Sequence, residues 1–313
     1  MSLRDHGGGI DAAAARWGGR PEGWLDLSTG INPLPYPLPP LAPEAWTRLP
    51  DRAAVEALES AARRFWQVPE SHGIVAAPGA SALIQILPRL APPGIADIPG
   101  PTYNEHEAAF RAAAWRIGTA GAIARVLVNP NNPDGRTWES SDLLPPPGLT
   151  IVDESFADAS LGAALAHGSQ ITLKSFGKFW GLAGLRLGFA IAPRPLAQAL
   201  AELLGPWPVS GPALAIGSAA LADLPWAECT RARLARDAAR LDALVLARGA
   251  RLAGGTPLFR LYEIPAAPAW FENLARAHIL VRRFPWSETL LRFGLPGPEA
   301  AWTRLAAALE TLP

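Results

Sequence analysis

From residue 73 onward the chain repeats one grammar, and that repetition limits the fold more than any other feature. "GIVAAPGASALIQILPRL" reads as a short apolar strand, a glycine-bearing turn and a helix. "ADIPGPTYNEHEAAFRAAAW" repeats the order. "RVLVNPNNPDG" is a buried strand running into a turn-rich loop, and "LTIVDESF", "SQITLKSF" and "RLGFAIA" are three further strand-like runs. Strands separated by helices pair in parallel and are covered on both faces. This predicts an α/β domain built on a mostly parallel sheet flanked by helices.

The pattern changes on either side. Residues 52–66 carry apolar side chains at helical spacing and predict an amphipathic helix. Residues 1–45 are rich in Gly and Pro. "INPLPYPLPP" excludes a helix interior or a central strand, because proline fixes φ and lacks the N–H, so this part reads as an extended arm. "GPWPVSGP" breaks the alternation at 205–212. Beyond it come an Arg-rich helical segment over 213–248, in one piece or two, then three short strands ("LFRLYEI", "HILVRRF", "TLLRFGLP") and a closing helix at 299–311. The expected organisation is an arm over 1–48 joined to a small domain, a large domain over 49–210, and a small α+β domain over 211–313.

Composition excludes several function classes. With 49% apolar and 18% charged residues among 313, and a net charge of +0, the chain is a globular protein with no electrostatic footprint for nucleic acid or anionic lipid. No run approaches the roughly 20 apolar residues of a membrane span. "MSLRDHGGGIDAAAARWGG" lacks the apolar core of a signal peptide. The single cysteine, Cys229, cannot form an internal disulfide. A cytoplasmic location and no metal centre are expected.

The chain has two lysines, Lys174 and Lys178, against twenty-six arginines. The excess of Ala, Arg, Pro and Gly has the look of GC-rich coding, which favours Arg, so each lysine is informative. Lys178 sits in "SFGKFWGLAGLRLGF", a run otherwise glycine, apolar and aromatic apart from Ser175 and Arg186. Lysine alone offers a primary amine that can condense with an aldehyde; the arginine guanidinium stays protonated. A half-buried amine loses its proton more readily and becomes nucleophilic. The plainer reading is a structural lysine.

Three other strand ends carry polar residues, and ligands of open parallel sheets bind at that edge. Gly79–Ala80–Ser81 opens a helix: it is either a helix cap by Ser81 or an anion site of free N–H groups. "NPNNPDG" is a plain turn or a pair of Asn amides facing a ligand oxygen. Asp153, just past a buried strand, is held by helix N–H groups or faces a cationic ligand atom such as a protonated ring nitrogen. Ser175 and Arg186 can bind a phosphate, and Tyr103 can cover a ring. An amine, a phosphate cup, a carboxylate for a ring N–H and an amide for a ring oxygen are the parts that hold pyridoxal 5′-phosphate.

On these residues the chain resembles the fold-type I, class I/II aminotransferase superfamily. The spacing Ser-x-x-Lys with Arg eight residues after the Lys, in order after "NPNNPDG" and "VDESF", carries the resemblance from "LDLSTGINP" to "LLRFGLPG". The nearest likeness is to the histidinol-phosphate aminotransferase branch and, through "HGG" followed by "LDLSTGINP", to the threonine-phosphate decarboxylases of cobalamin synthesis. The resemblance implies Lys178 as the amine joined to the cofactor, Asp153 against the pyridine nitrogen, Asn132 on the ring oxygen and Tyr103 on the ring face. It implies Ala80, Ser81, Ser175 and Arg186 on the phosphate. It further implies Arg292 on the substrate carboxylate, with His6 and Asn32 in an N-terminal arm that folds over the substrate. His6 with Gly7–Gly8–Gly9, Arg16, Arg282 and Arg283 are candidates for a second phosphate. A homodimer is implied as well.

Two positions depart from the family pattern. Phe156 stands where many relatives have a Tyr three residues after the ring aspartate. Leu49, in "RLPD", stands where many supply a phosphate-binding Tyr to the partner subunit. The expected reaction is decarboxylation of threonine phosphate, the alternative transamination of histidinol phosphate or a related amino acid. A silent regulatory domain of this fold would carry an added DNA-binding segment, and no stretch here is long or basic enough. A dinucleotide site would want G-x-G-x-x-G after the first strand, which "GIVAAPGAS" does not supply.

Overall fold

The N-terminal part, expected to be extended, contains a helix. In the computed structural model, which describes residues 6–145 and 148–312, Ile10–Trp17 forms α1. Ile10, Ala13, Ala14 and Trp17 recur at i, i+3, i+4 and i+7 and pack with Trp24, Ala275 and Leu280. Strand β1 (Leu25–Leu27) follows, and the Pro-rich stretch beyond it has neither helix nor strand until α2 (Glu44–Thr47).

The alternating segment forms a seven-stranded sheet. Its strands are β2 (His72–Ala77), β3 (Ile95–Asp97), β4 (Arg116–Ile117), β5 (Ala124–Val128), β6 (Leu149–Asp153), β7 (Ile171–Ser175) and β8 (Gly188–Pro193), in the order β2-β8-β7-β6-β5-β3-β4. Strands β3 to β7 pair in parallel, while β8 is antiparallel to both neighbours. All five residues of β6 are buried, as a parallel strand covered on both faces requires. The flanking helices are α3 (Arg52–Phe65), α4 (Ala80–Ile86), α5 (Asn104–Ala112), α6 (Arg194–Leu204) and α7 (Gly211–Ala222). Asp51 caps α3 by accepting from Ala54 N at 2.8 Å.

The chain divides into two compact units at 34/35 and 229/230, rather than at 48/49 and 210/211. The shift at the second boundary has a packing cause. Helix α7 lies so close to α3 that a Cβ on Gly217 would come within 2.9 Å of Leu58, so α7 stays with the larger unit. The boundary falls inside α8 (Leu224–Leu246), the second piece of the long helical segment. Residues 133–135 group with the smaller unit, where Gly255 N donates to Asp134 O at 2.8 Å.

In the smaller unit β9 (Arg251–Thr256), β10 (Phe259–Glu263), β11 (Ile279–Phe284) and β12 (Ser287–Gly294) join β1 in the order β1-β11-β12-β10-β9. The β1–β11 pair is parallel and the others antiparallel. Helices α9 (Ala267–Arg276) and α10 (Glu299–Glu310) complete this α+β unit. Among the described residues no helix is long and apolar enough to cross a membrane.

Candidate active site

Eight residues read from the sequence line one cavity in the larger unit: Ala80, Ser81, Tyr103, Asn132, Asp153, Ser175, Lys178 and Arg186. They arrive from the C-terminal ends of β2, β3, β5, β6 and β7 and from the start of β8, the strand edge at which open α/β sheets bind ligands.

The anion end is shaped by two glycines. Gly79 has φ +86 and turns β2 into α4; a Cβ there would come within 2.7 Å of Arg186 Nη2. A Cβ on Gly188 would lie 2.3 Å from Ala80 N, so β8 runs directly beneath the first N–H of α4. Arg186 itself is left-handed, φ 55, with Nη1 donating to Ala183 O at 3.1 Å. A guanidinium, two serine hydroxyls and a helix N-terminus thus meet at one end of the cavity.

The amine end explains the composition around Lys178. Phe176, Phe179 and Trp180 are fully buried, with Phe176 stacked on Trp180 at 4.2 Å. These rings pin the loop after β7 into the core and leave Lys178 facing the cavity, its Nζ 5.4 Å from the Phe156 ring.

Asp153 ends β6 and is 3% exposed. Its Oδ2 lies 2.8 Å from His106 Nε2, and its Oδ1 accepts from Ser155 N at 3.0 Å and from the Ser155 hydroxyl. Burial alone would raise its pKa; the hydrogen bond and charge of His106 and the bonds from Ser155 outweigh this and hold it below the ordinary carboxylate value. A buried aspartate that stays ionised can keep a facing cation protonated. His106 was not singled out in the sequence. The signal was its spacing, one helical turn after Tyr103 on α5, with the two rings edge-on at 6.0 Å.

Only one of the two adjacent Asn amides faces the cavity. Asn131 is turned away, its Nδ2 donating to Pro101 O at 3.0 Å and its Oδ1 accepting from Thr102 Oγ1 at 2.6 Å. Asn132 lines the cavity.

The candidate substrate residues belong to the smaller unit. Arg292 on β12 is buried, with Nη2 donating to Ser28 O at 2.7 Å and its guanidinium 5.0 Å from the Phe259 ring. Burial first, then the neighbouring charge of Arg282, pushes its pKa down to about 9 despite Asp26. Gly8 N donates to Ser28 Oγ at 2.7 Å, so the glycine run after the exposed His6 reaches the residue that also binds Arg292. Asn32 is buried, and its Oδ1 accepts from Arg233 Nη2 at 2.6 Å and Leu34 N at 3.1 Å, which makes it an organiser of its own loop.

The larger unit's cavity fits pyridoxal 5′-phosphate on observations of this structure. A backbone cradle at Gly79–Ala80 that the Gly188 position keeps open, with Arg186 beside it, suits a phosphate. A buried, ionised Asp153 suits a pyridinium, and a lysine amine held by buried rings suits an aldehyde.

The family described as aminotransferase class I and II matches residues 118–309. The chain is 44% identical to a threonine-phosphate decarboxylase of Sinorhizobium sp over 98% of both chains. It is 41% identical to the threonine-phosphate decarboxylase of Pseudomonas aeruginosa, over 98% of this chain and 97% of that one. Its fold is similar to histidinol-phosphate aminotransferase from Sinorhizobium meliloti solved in complex with pyridoxal-5′-phosphate, with TM-score 0.83 and 19% identity over 98% and 94% of the two chains. It is also similar to L-threonine-O-3-phosphate decarboxylase from Porphyromonas gingivalis, with TM-score 0.73 and 18% identity over 91% and 98%.

Proposed function

The chain belongs to the aminotransferase class I and II family, and from that premise we propose that it decarboxylates L-threonine O-3-phosphate to 1-aminopropan-2-yl phosphate and CO2, a step of cobalamin synthesis. The observation that carries the substrate and reaction is the 44% identity over 98% of both chains to a curated threonine-phosphate decarboxylase. The likeness to a solved aminotransferase at 19% identity speaks for the fold alone.

The cofactor of the family is pyridoxal 5′-phosphate, which when bound supplies an electron sink for the pair left on Cα as a bond there breaks. The protein's own residues do the rest. Lys178 would hold the aldehyde end and, once released, is the cavity amine able to carry a proton. Asp153, kept ionised by His106 and Ser155, would hold the ring nitrogen protonated. Asn132 would donate to the ring oxygen, and Tyr103 would cover the ring. Ala80, Ser81, Ser175 and Arg186 would grip the cofactor phosphate. Arg292 would bind the substrate carboxylate, with His6 and Asn32 as further substrate contacts. Decarboxylase and transaminase differ in which Cα bond is held perpendicular to the ring, and the grip on the substrate's two anionic groups decides that. We further read the protein as a cytoplasmic homodimer on the family's pattern.

Purified holoenzyme given L-threonine O-3-phosphate without a 2-oxo acid should release CO2 and the aminopropyl phosphate. A strict requirement for 2-oxoglutarate would replace this reading with transamination.

A further inference from the structure

The second lysine has no part in the mechanism above, yet it is among the most buried side chains of the chain. Lys174 is 2% exposed on β7, with Nζ 2.8 Å from Glu154 Oε2 and 3.4 Å from Asp158 Oδ1. Both carboxylates are held in turn: Glu154 Oε1 accepts from Leu165 N at 2.6 Å, and Asp158 Oδ1 accepts from Trp66 Nε1 at 2.9 Å. The Trp66 ring lies 5.7 Å from the ammonium.

Strand alternation puts this cluster directly behind the cavity. Successive side chains of a strand point to opposite faces. Ser175 lines the cavity and Lys174 precedes it; Asp153 lines the cavity and Glu154 follows it. The ladder continues past β6, with Glu154 N donating to Leu173 O at 3.0 Å. Glu154 and Asp158 also bracket a short turn whose residues Ser155 and Phe156 line the cavity. Ser155 binds Asp153, and Phe156 faces Lys178.

Resting on the cofactor reading above, we propose that Lys174 is a positioning residue: clamped between Glu154 and Asp158, it fixes the turn 154–158 against the end of β7 and so sets where Asp153, Phe156 and the Lys178 loop stand relative to one another. Burial would lower the lysine's pKa, but Asp158 and Glu154 outweigh it and hold it above the ordinary value, while at Glu154 burial outweighs Lys174 and pushes that carboxyl up. A buried ion network is weak evidence for stability, since an apolar replacement of similar volume is often as stable. Fixing one conformation is the role such a network can have beyond stability.

The test is cofactor binding to the triple variant Glu154→Gln/Asp158→Asn/Lys174→Met, in which no charged member of the cluster is left buried alone. Thermal melting should stay close to wild type. The dissociation constant for pyridoxal 5′-phosphate should rise about tenfold or more, and the pH midpoint of the bound visible band should move. Lys174→Arg alone, which keeps the charge between the two carboxylates, should leave both at wild-type values. A triple variant that binds as tightly as wild type, with the same band and midpoint, overturns the proposal. If that variant does not fold, Asp158→Asn decides: weaker binding with a moved midpoint supports the clamp, and unchanged binding overturns it. Lys178→Ala serves as the control for the reading beneath. If it keeps the visible band, the cofactor assignment fails, whatever Lys174 does.

Discussion

His106 Nε2 stands 2.8 Å from Asp153 Oδ2 with both side chains almost fully buried, so the carboxylate at the heart of the cavity is held by a ring one helical turn after Tyr103. The folded pKa of Asp153 lies below its ordinary value of 3.8. The stability this contributes is fully present above that value and is lost as pH falls through the folded pKa. His106→Phe removes the support and shifts the balance towards burial. Acid unfolding of the cofactor-free protein should then begin at higher pH than in wild type, and cofactor affinity should fall about tenfold, roughly the 1.4 kcal/mol of one charge-assisted hydrogen bond. Melting temperature against pH and a cofactor titration check both.

Gly188→Ala tests the anion cradle. The new Cβ would lie 2.3 Å from Ala80 N and 2.6 Å from Gly79 C, both backbone atoms that cannot swing aside. Overpacking of this kind costs about 1–3 kcal/mol, and the relief available is to push the start of α4 into the cavity. Cofactor affinity should drop by more than tenfold while the far-UV spectrum is retained, as measured by equilibrium dialysis and circular dichroism.

Lys178→Ala separates the chemistry from the scaffold. The rings that anchor its loop, Phe176, Phe179 and Trp180, are untouched. The melting temperature should change by only a few degrees, within the roughly 1 kcal/mol typical of a substitution away from the core. The visible band of the bound cofactor should vanish and turnover should fall below detection.

Arg292 carries a charge at a stability cost. Its folded pKa of about 9 is below the usual guanidinium range, the reverse of a stabilising base. Below about pH 9 the charge is present in both states and burial disfavours the folded one; the penalty is relieved as pH rises above that value. Arg292→Met should therefore leave the cofactor-free protein as stable as wild type or more so at neutral pH. The KM for the phosphorylated substrate should rise at least tenfold, with cofactor affinity unchanged. Calorimetry and steady-state kinetics read these separately.

Much of the larger unit was legible because its strands and helices obey simple periods and its polar residues stand at strand ends. The eight cavity residues share motifs in which Gly, Asp, Lys and Arg each have few chemical substitutes. Helix α1 was legible in principle: "IDAAAARW" has its apolar residues at helical spacing, but the Gly and Pro around it drew the reading towards an arm. The roles of His106 and Lys174 were not legible. Each acts through a residue distant in sequence, Asp153 in one case and the bracket of Glu154 and Asp158 in the other, and only tertiary pairing joins them. Asn131 and Asn132 look alike in sequence and part ways in the fold, since the loop after β3 takes up Asn131's hydrogen bonds through Pro101 and Thr102.

The measurement closest to the central claim follows L-threonine O-3-phosphate by proton NMR in D2O with holoenzyme and no 2-oxo acid. Decarboxylation predicts 1-aminopropan-2-yl phosphate carrying one deuterium at C1 beside the retained Cα hydrogen, with one CO2 per product. Loss of the Cα hydrogen without CO2, or turnover only when 2-oxoglutarate is added, would contradict it.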